Sequence, residues 1–288
     1  MEWPITFACN NNCINCILDT RQTKYKGEPF LKQIQEVLQK VPGGETISLT
    51  GGEPTIRKEF FEILRIARKE NPKNFIFIVS NGRMFSNKKF TEKLASMDLE
   101  PLRLGIPIYS HKKAVHDRIT RASGSWTETT KGLKNLLAKG FDVELRILVQ
   151  KSNFRELDET ARFIAKEFSE IERVTFINLK YTGNAFINRK NVFVKYSEAV
   201  PFVQNAVDVL LDHKFEVKLF HFPLCILKKK YWPLAEGITK QEVELFLPKK
   251  CESCSEKNRC PRIWKSYIPL AGTDEFKPIK RKQKHLKT

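Results

Sequence analysis

Val143-Glu144-Leu145-Arg146-Ile147-Leu148-Val149-Gln150 is the stretch that decides the architecture. On an extended chain Val143, Leu145, Ile147 and Val149 share one face, whereas Glu144, Arg146 and Gln150 share the other, interrupted only by Leu148. One side is apolar and the other mostly polar. The division recurs upstream, where Ile47 and Leu49 oppose Thr46, Ser48 and Thr50, and where Leu104, Ile106 and Ile108 oppose Arg103, Gly105 and Tyr109. A solvated sheet face would give such a pattern. Parallel strands, however, are normally covered on both faces, and a closed eight-stranded barrel fills its interior with branched apolar side chains. Polar inner faces on repeated strands therefore predict an incomplete barrel whose lumen holds a polar ligand.

Working outward, six β-rich runs at 5–7, 46–50, 75–79, 102–108, 143–149 and 174–179 alternate with runs of helical spacing. Phe60, Ile63, Leu64 and Ala67 keep such spacing, as do Leu157, Ala161, Ile164 and Phe168. Gly140 follows its helix as a C-terminal cap, and Ser197 is suited to begin another. Repeated βα units make a parallel sheet, so the expected class is α/β: a partial (β/α)6 TIM-like barrel with a small C-terminal cysteine-rich module. The rhythm stops after Leu211, where a strand-like run at 215–222 leads into Lys- and Pro-rich loops. The expected division is a core at 1–213, a cysteine module at 214–276 and a basic tail at 277–288 that carries Lys277, Lys280, Arg281, Lys282, Lys284 and Lys287.

With 288 residues and 41% hydrophobic content the chain can bury a large core, and no apolar run approaches the roughly 18 residues of a membrane span. Membrane partners are not expected. No basic stretch followed by an apolar segment opens the chain, which predicts a cytoplasmic location and reduced thiols. The net charge of +18 suits a polyanion such as RNA, and equally a Lys-rich, heat-adapted proteome.

The seven cysteines bunch as three plus four. Cys9, Cys13 and Cys16 fall within eight residues directly after the first strand. Structural zinc wants four ligands, whereas a cubane held by three cysteines keeps one iron free for a substrate or cofactor. The spacing alone also fits a zinc site completed from elsewhere. After strand two comes Gly51-Gly52-Glu53-Pro54, where two glycines let a ligand approach the backbone and Glu53 can face an amino group; an ordinary turn has the same composition. Both motifs follow strand C-terminal ends, where βα-barrel sites form.

Together these residues resemble the radical S-adenosylmethionine (AdoMet) superfamily. The resemblance implies that Cys9, Cys13 and Cys16 hold a [4Fe-4S] cluster whose free iron chelates AdoMet, and that Gly51, Gly52, Glu53 and Pro54 form the methionine-amino motif. One electron then cleaves the S–C5′ bond to give a 5′-deoxyadenosyl radical that abstracts hydrogen. An electron donor such as flavodoxin or ferredoxin is implied. Ser80-Asn81-Gly82 resembles a further AdoMet-contact segment, and His116-Asp117 through Gly124-Ser125-Trp126 resembles the stretch between strands four and five of peptide-modifying members. One departure is Asn15, which stands before the third cysteine where an aromatic residue is frequent.

Cys225, Cys251, Cys254 and Cys260 make a complete ligand set for one site, zinc or cluster. Their setting resembles the SPASM/twitch segment of such enzymes, which implies an auxiliary [4Fe-4S] cluster. Among the remaining polar candidates, Arg146 is expected to touch AdoMet or substrate, or to pair structurally with Glu144; Tyr109, Ser110 and Asn153 are similar candidates. His111, His116, His213, His221 and His285 lack metal spacing and read as surface or packing residues. Peptide maturation is the leading expectation for the substrate, with RNA or a small molecule as alternatives. From another class, the alternative is a zinc protein that binds nucleic acid without catalysis.

Overall fold

A computed structural model describes residues 2–20, 27–235 and 242–280. Its frame is a parallel sheet in strict sequence order: β1 (Glu2–Thr6), β2 (Ile47–Gly51), β3 (Ile76–Val79), β4 (Leu102–Pro107), β5 (Asp142–Val149), β6 (Arg173–Asn178) and β7 (Glu216–Phe220). The sheet has seven strands rather than the expected six, because the run after residue 214 pairs with β6 from Arg173↔Glu216 to Ile177↔Phe220. It belongs to the barrel sheet and not to the cysteine module.

Between the strands lie α1 (Leu31–Leu38), α2 (Phe60–Glu70), α3 (Lys88–Ala95), α4 (Lys113–Thr120), α5 (Ser125–Leu137) and α6 (Leu157–Glu167). After β6 come α7 (Gly183–Ile187), α8 (Arg189–Val192) and α9 (Tyr196–Asp212). Ile63, Leu64 and Ala67 of α2 and Leu157, Ala161 and Ile164 of α6 are fully buried, as their spacing predicts. They pack with the apolar strand faces, where Val143, Leu145, Ile147 and Val149 are at most 3% exposed. Gly140 adopts φ +74° beyond α5 and donates to Leu137 O at 2.9 Å, the left-handed stop that a glycine takes without strain.

Helix α9 starts at Tyr196, one residue before the expected start, and Ser197 does not cap it. The Ser197 amide instead donates to Glu275 Oε2 at 2.7 Å, so a carboxylate 78 residues away does that work. The C-terminal segment is pinned to the barrel mouth. Its strands β8 (Leu245–Phe246) and β9 (Ile263–Trp264) pair antiparallel, Trp264 Nε1 donates to Asn178 O at 3.0 Å, and the His221 and Trp264 rings stack 3.8 Å apart. A last short helix, α10, spans Ile268–Ala271. Among the described residues no helix is long and apolar enough to cross a membrane. Of the basic tail, Arg281, Lys282, Lys284 and Lys287 lie outside the described residues, as does His285.

Candidate functional site

The loop carrying Cys9, Cys13 and Cys16 leaves the end of β1 and is fastened by four separate parts of the barrel. The first is the turn after β2: Gly52 N–H donates to Thr6 O and Glu53 N–H to Ala8 O, each at 2.8 Å. A Cβ on Gly51 would stand 2.1 Å from Thr6 O, and one on Gly52 2.1 Å from Ala8 O. These glycines are therefore required by the passage of the cysteine loop itself, a nearer reason than room for a ligand.

The second fastening comes from the turn after β3. Arg83 donates through Nη1 to Asn10 O and, at 2.7 Å, to Asn11 Oδ1, while its Nε meets Glu128 Oε2 at 2.5 Å. Asn81 Nδ2 reaches Asn10 Oδ1 at 2.6 Å. The third is α4, whose last carbonyls accept from the loop: Asn12 N–H to Thr120 O at 2.9 Å and Ile14 N–H to Ile119 O at 2.8 Å. Asp117 holds the turn after α4 by accepting from Gly124 N–H, Trp126 N–H and Ser125 Oγ at 2.8 to 2.9 Å. The fourth is α7, where Asn184 Nδ2 donates to Cys13 O and Ala185 N–H to Cys16 O, both at 3.0 Å. Arg83, Asn184 and Asn188, whose Nδ2 reaches Ile14 O at 3.3 Å, are missing from the sequence-derived set. Asparagine on a short helix and arginine in a turn carry no pattern that could have singled them out.

Glu53 is 1% exposed, and its carboxylate accepts from Thr55 N–H at 3.1 Å, Thr55 Oγ1 at 2.5 Å, Ser80 Oγ at 2.7 Å and Asn81 N–H at 2.5 Å. Burying a carboxylate costs several kcal/mol, and hydrogen bonds to a charged group offset roughly 1.5–3 kcal/mol each. Burial still prevails and raises the carboxyl above its ordinary range. Three of the four donors share Oε1, which leaves Oε2 with one open acceptor position. Ser80 and Asn81 thus tie β2 to β3 through Glu53, and Asn81 adds a bond to the loop.

Burial and the neighbouring thiols push Cys13 up to about 12. Cys9 is exposed as a residue, yet its sulfur is enclosed and is pushed up to about 11, mainly by burial and further by Glu53 and Cys16. Burial also raises Cys16. Three enclosed thiols that repel one another as thiolates ask for a cationic centre between them, which iron supplies. Among the described residues no three His, Cys, Asp or Glu side chains converge as ligands of one metal ion. A cubane does not need that convergence, since each thiolate takes a different iron. The buried Gln150 and Asn178 amides, at the ends of β5 and β6, have no hydrogen-bond partner. Unsatisfied amides at strand ends fit a polar ligand there.

Arg146 lies in the lumen with its guanidinium 5.6 Å from the Phe77 ring and its Nε 3.4 Å from Glu144 Oε1. Burial lowers Arg146 and raises Glu144, so each is held charged chiefly by the other. Tyr109 is buried at the end of β4, near enough to Cys13 and Cys16 for their charges to raise its phenol further after burial has done most. Ser110 and Asn153 serve the loops instead: Ser110 Oγ accepts from Lys112 N–H, and Asn153 Nδ2 bridges Tyr109 O and Leu148 O at 3.0 Å. Asn15, 1% exposed, faces the same enclosure beside Tyr109. His116 and His221 are buried packing residues.

The other four cysteines share a second enclosure. Cys225, Cys251, Cys254 and Cys260 line one pocket together with Phe246, Ile263 and Phe276. Cys225 is pushed up to about 11 by burial and then by the other three thiols. Ile279 N–H donates to Cys254 Sγ at 3.3 Å, a backbone bond of the kind that steadies a ligating sulfur.

Residues 3–164 match the Radical SAM superfamily. The chain belongs to that family. Its members are enzymes that use a [4Fe-4S] cluster and AdoMet, and the zinc-dependent nucleic-acid-binding alternative falls away. The Fe-coproporphyrin III synthase of Methanosarcina barkeri is 24% identical over 227 residues, which cover 78% of this chain and 54% of that protein. The mycofactocin maturase MftC of Mycobacterium ulcerans is 26% identical over 178 residues, 61% of this chain and 46% of its own. This radical SAM chain thus spans about half the length of these curated relatives. Streptococcus suis SuiB bound to precursor peptide SuiA shares the fold with a TM-score of 0.60 at 15% identity, over 76% of this chain and 49% of that one. Native anSMEcpe with bound AdoMet and Kp18Cys peptide gives 0.60 at 17% identity, over 74% and 60%.

Proposed function

We propose that this radical SAM chain cleaves AdoMet reductively at a [4Fe-4S] cluster held by Cys9, Cys13 and Cys16, and that its substrate is a peptide undergoing maturation. The observation that carries the first part is the pair of backbone bonds from Gly52 and Glu53 to Thr6 and Ala8, which fixes the cysteine loop against the Gly51–Pro54 turn. Ligand and cofactor motifs then share one rigid corner. When bound, the cluster supplies the electron that breaks the S–C5′ bond of AdoMet. Gly51, Gly52, Glu53 and Pro54 hold the methionine end by their backbone and by the open acceptor of Glu53. Ser80 and Asn81 brace that turn, and Arg146 offers a cation to a carboxylate in the lumen. Cys225, Cys251, Cys254 and Cys260 hold an auxiliary [4Fe-4S] cluster, a reading supported by their common cavity.

The peptide reading is supported by the likeness to the mycofactocin maturase, together with the SPASM/twitch-like cysteine pattern. Co-expression with candidate short peptides, followed by mass spectrometry, tests it: a mass change that depends on Cys13 supports peptide maturation, and unmodified peptides oppose it. A second reading, a tetrapyrrole substrate, is favoured by the longer alignment with the Fe-coproporphyrin III synthase. Turnover of a porphyrin with no peptide modified would favour it.

A further inference from the structure

Asn15 stands between two of the cluster ligands, two residues after Cys13 and directly before Cys16. It is 1% exposed, and neither its Oδ1 nor its Nδ2 has a hydrogen-bond partner among the described residues. A buried amide with both ends unsatisfied is costly and asks for an explanation. The backbone on either side cannot carry it elsewhere. Asn12 N–H and Ile14 N–H are bonded to Thr120 O and Ile119 O of α4 at 2.9 and 2.8 Å, while Cys13 O accepts from Asn184 Nδ2 and Cys16 O from Ala185 N–H, both at 3.0 Å.

Beside the amide stands Tyr109, 6% exposed and fixed in its turn. Its ring packs on that of His116 with centroids 5.2 Å apart, its N–H reaches His116 Nδ1 at 3.4 Å, and its O accepts from Asn153 Nδ2 at 3.0 Å. His116 belongs to α4, so one helix positions the cysteine loop by its end and Tyr109 by its side. The phenol lies among the Asn15 amide and the Cys13 and Cys16 sulfurs. Burial raises Tyr109 and Cys13 most, and neighbouring thiol charges raise both further. Beyond that, Tyr109 pulls Cys13 down and Cys13 pushes Tyr109 up, the reciprocal signs of a hydroxyl donating to a thiolate. Asn15 pulls Tyr109 down, the sign of an N–H offered to the phenol oxygen.

We propose that in the loaded protein Asn15 and Tyr109 form a hydrogen-bond relay onto the first cluster, Asn15 Nδ2 donating to Tyr109 Oη and Tyr109 Oη to the Cys13 sulfur, and that this relay makes the cluster easier to reduce. It rests on the cluster reading above. A hydrogen bond to a ligating sulfur stabilises negative charge there, and the reduced cluster carries one negative charge more than the oxidised one, so the bond favours reduction. The bond from Asn15 polarises the hydroxyl and strengthens its donation. A phenylalanine at position 15 has no N–H to give. No covalent bond forms or breaks in the relay, and each proton stays on its own atom.

The experiment is potentiometry followed by electron paramagnetic resonance, on anaerobically reconstituted wild type, Tyr109→Phe, Asn15→Leu and the double variant, after iron analysis and thermal melts confirm loading and folding. The signal of the first cluster is the one missing from Cys13→Ala. Tyr109→Phe keeps the ring and Asn15→Leu keeps the volume, so either can be read if the other fails to load. Tyr109→Phe should make reduction about tenfold less favourable, which is about 59 mV for one electron. Asn15→Leu should act in the same direction by about twofold, because it works through the hydroxyl. For the same reason the double variant should match Tyr109→Phe. Wild-type potentials in both single variants would overturn the proposal, as would effects that simply add in the double variant. So would an Asn15→Leu protein with the wild-type potential and a weakened AdoMet dissociation constant, which would assign the amide to AdoMet. These outcomes leave the cluster reading intact. A Cys13→Ala protein that keeps every iron and every signal of the wild type would refute that reading and the relay together.

Discussion

The Glu53 carboxylate, just past the end of β2, accepts the backbone N–H of Asn81, just past the end of β3, at 2.5 Å. Through this bond the Gly51–Pro54 turn, which we propose holds the methionine end of AdoMet, and the turn that touches the cysteine loop are tied together. Glu53→Ala would leave the amides of Thr55 and Asn81 and the hydroxyl protons of Thr55 and Ser80 without their acceptor in a dry site. The expected loss is about 2–4 kcal/mol in unfolding free energy. Equilibrium denaturation checks it, and AdoMet affinity should fall at least tenfold with it. Glu53→Gln, which keeps one acceptor oxygen, should lose less on both counts.

Arg83 gives a second prediction. Arg83→Ala removes the donor to Asn10 O and Asn11 Oδ1, so the loop loosens and iron per chain after reconstitution should fall. Glu128→Gln should do little, because the Glu128 side chain is 44% exposed and such pairs contribute about 0–1 kcal/mol. If the two variants lose iron equally, the Glu128 pair matters more than the loop contacts.

Strand positions were legible because polar and apolar residues alternate in them, and helices because buried positions repeat every three or four residues. The seventh strand was not assigned to the sheet. Its alternation at 216–220 is as clear as that of β5, but it runs into the Cys225 loop instead of another helix, so nothing local ties it to β6. At the site, cysteine spacing and Gly51–Pro54 could be read, since metal ligation and close backbone passage demand particular residue types. The four fastenings could not. Arg83 meets residues about 70 positions away and Asn184 residues about 170 away, and only folding reveals such pairs.

His116 sets a pH dependence. It is 2% exposed, its Nδ1 accepts Tyr109 N–H at 3.4 Å, and burial lowers it to about 4 from an ordinary 6.5. Between those values the unfolded chain binds the proton and the folded chain does not, so stability falls as pH drops from 6.5 toward 4. The loss from this group should approach roughly 3 kcal/mol. His221, lowered to about 3, acts in the same direction. Denaturant midpoints measured across that range should show a shallower fall in His116→Gln than in the parent.

The C-terminal cavity predicts a stoichiometry. Reconstituted wild type should carry about eight irons, and the Cys251→Ala/Cys254→Ala variant about four. That variant should still form 5′-deoxyadenosine, because its remaining cluster is the one beside Gly51–Pro54. About four irons plus one zinc in the wild type would place zinc, and not iron, among Cys225, Cys251, Cys254 and Cys260.

The most direct measurement is made anaerobically on the reconstituted protein with AdoMet and dithionite, monitoring 5′-deoxyadenosine and methionine by liquid chromatography. The account predicts a brown protein that forms both, and a Cys13→Ala variant that forms neither while keeping the iron of its C-terminal cluster. A wild type that is fully loaded with iron and reduced, yet leaves AdoMet intact, would contradict it, as would Cys13→Ala cleaving AdoMet at the parent rate.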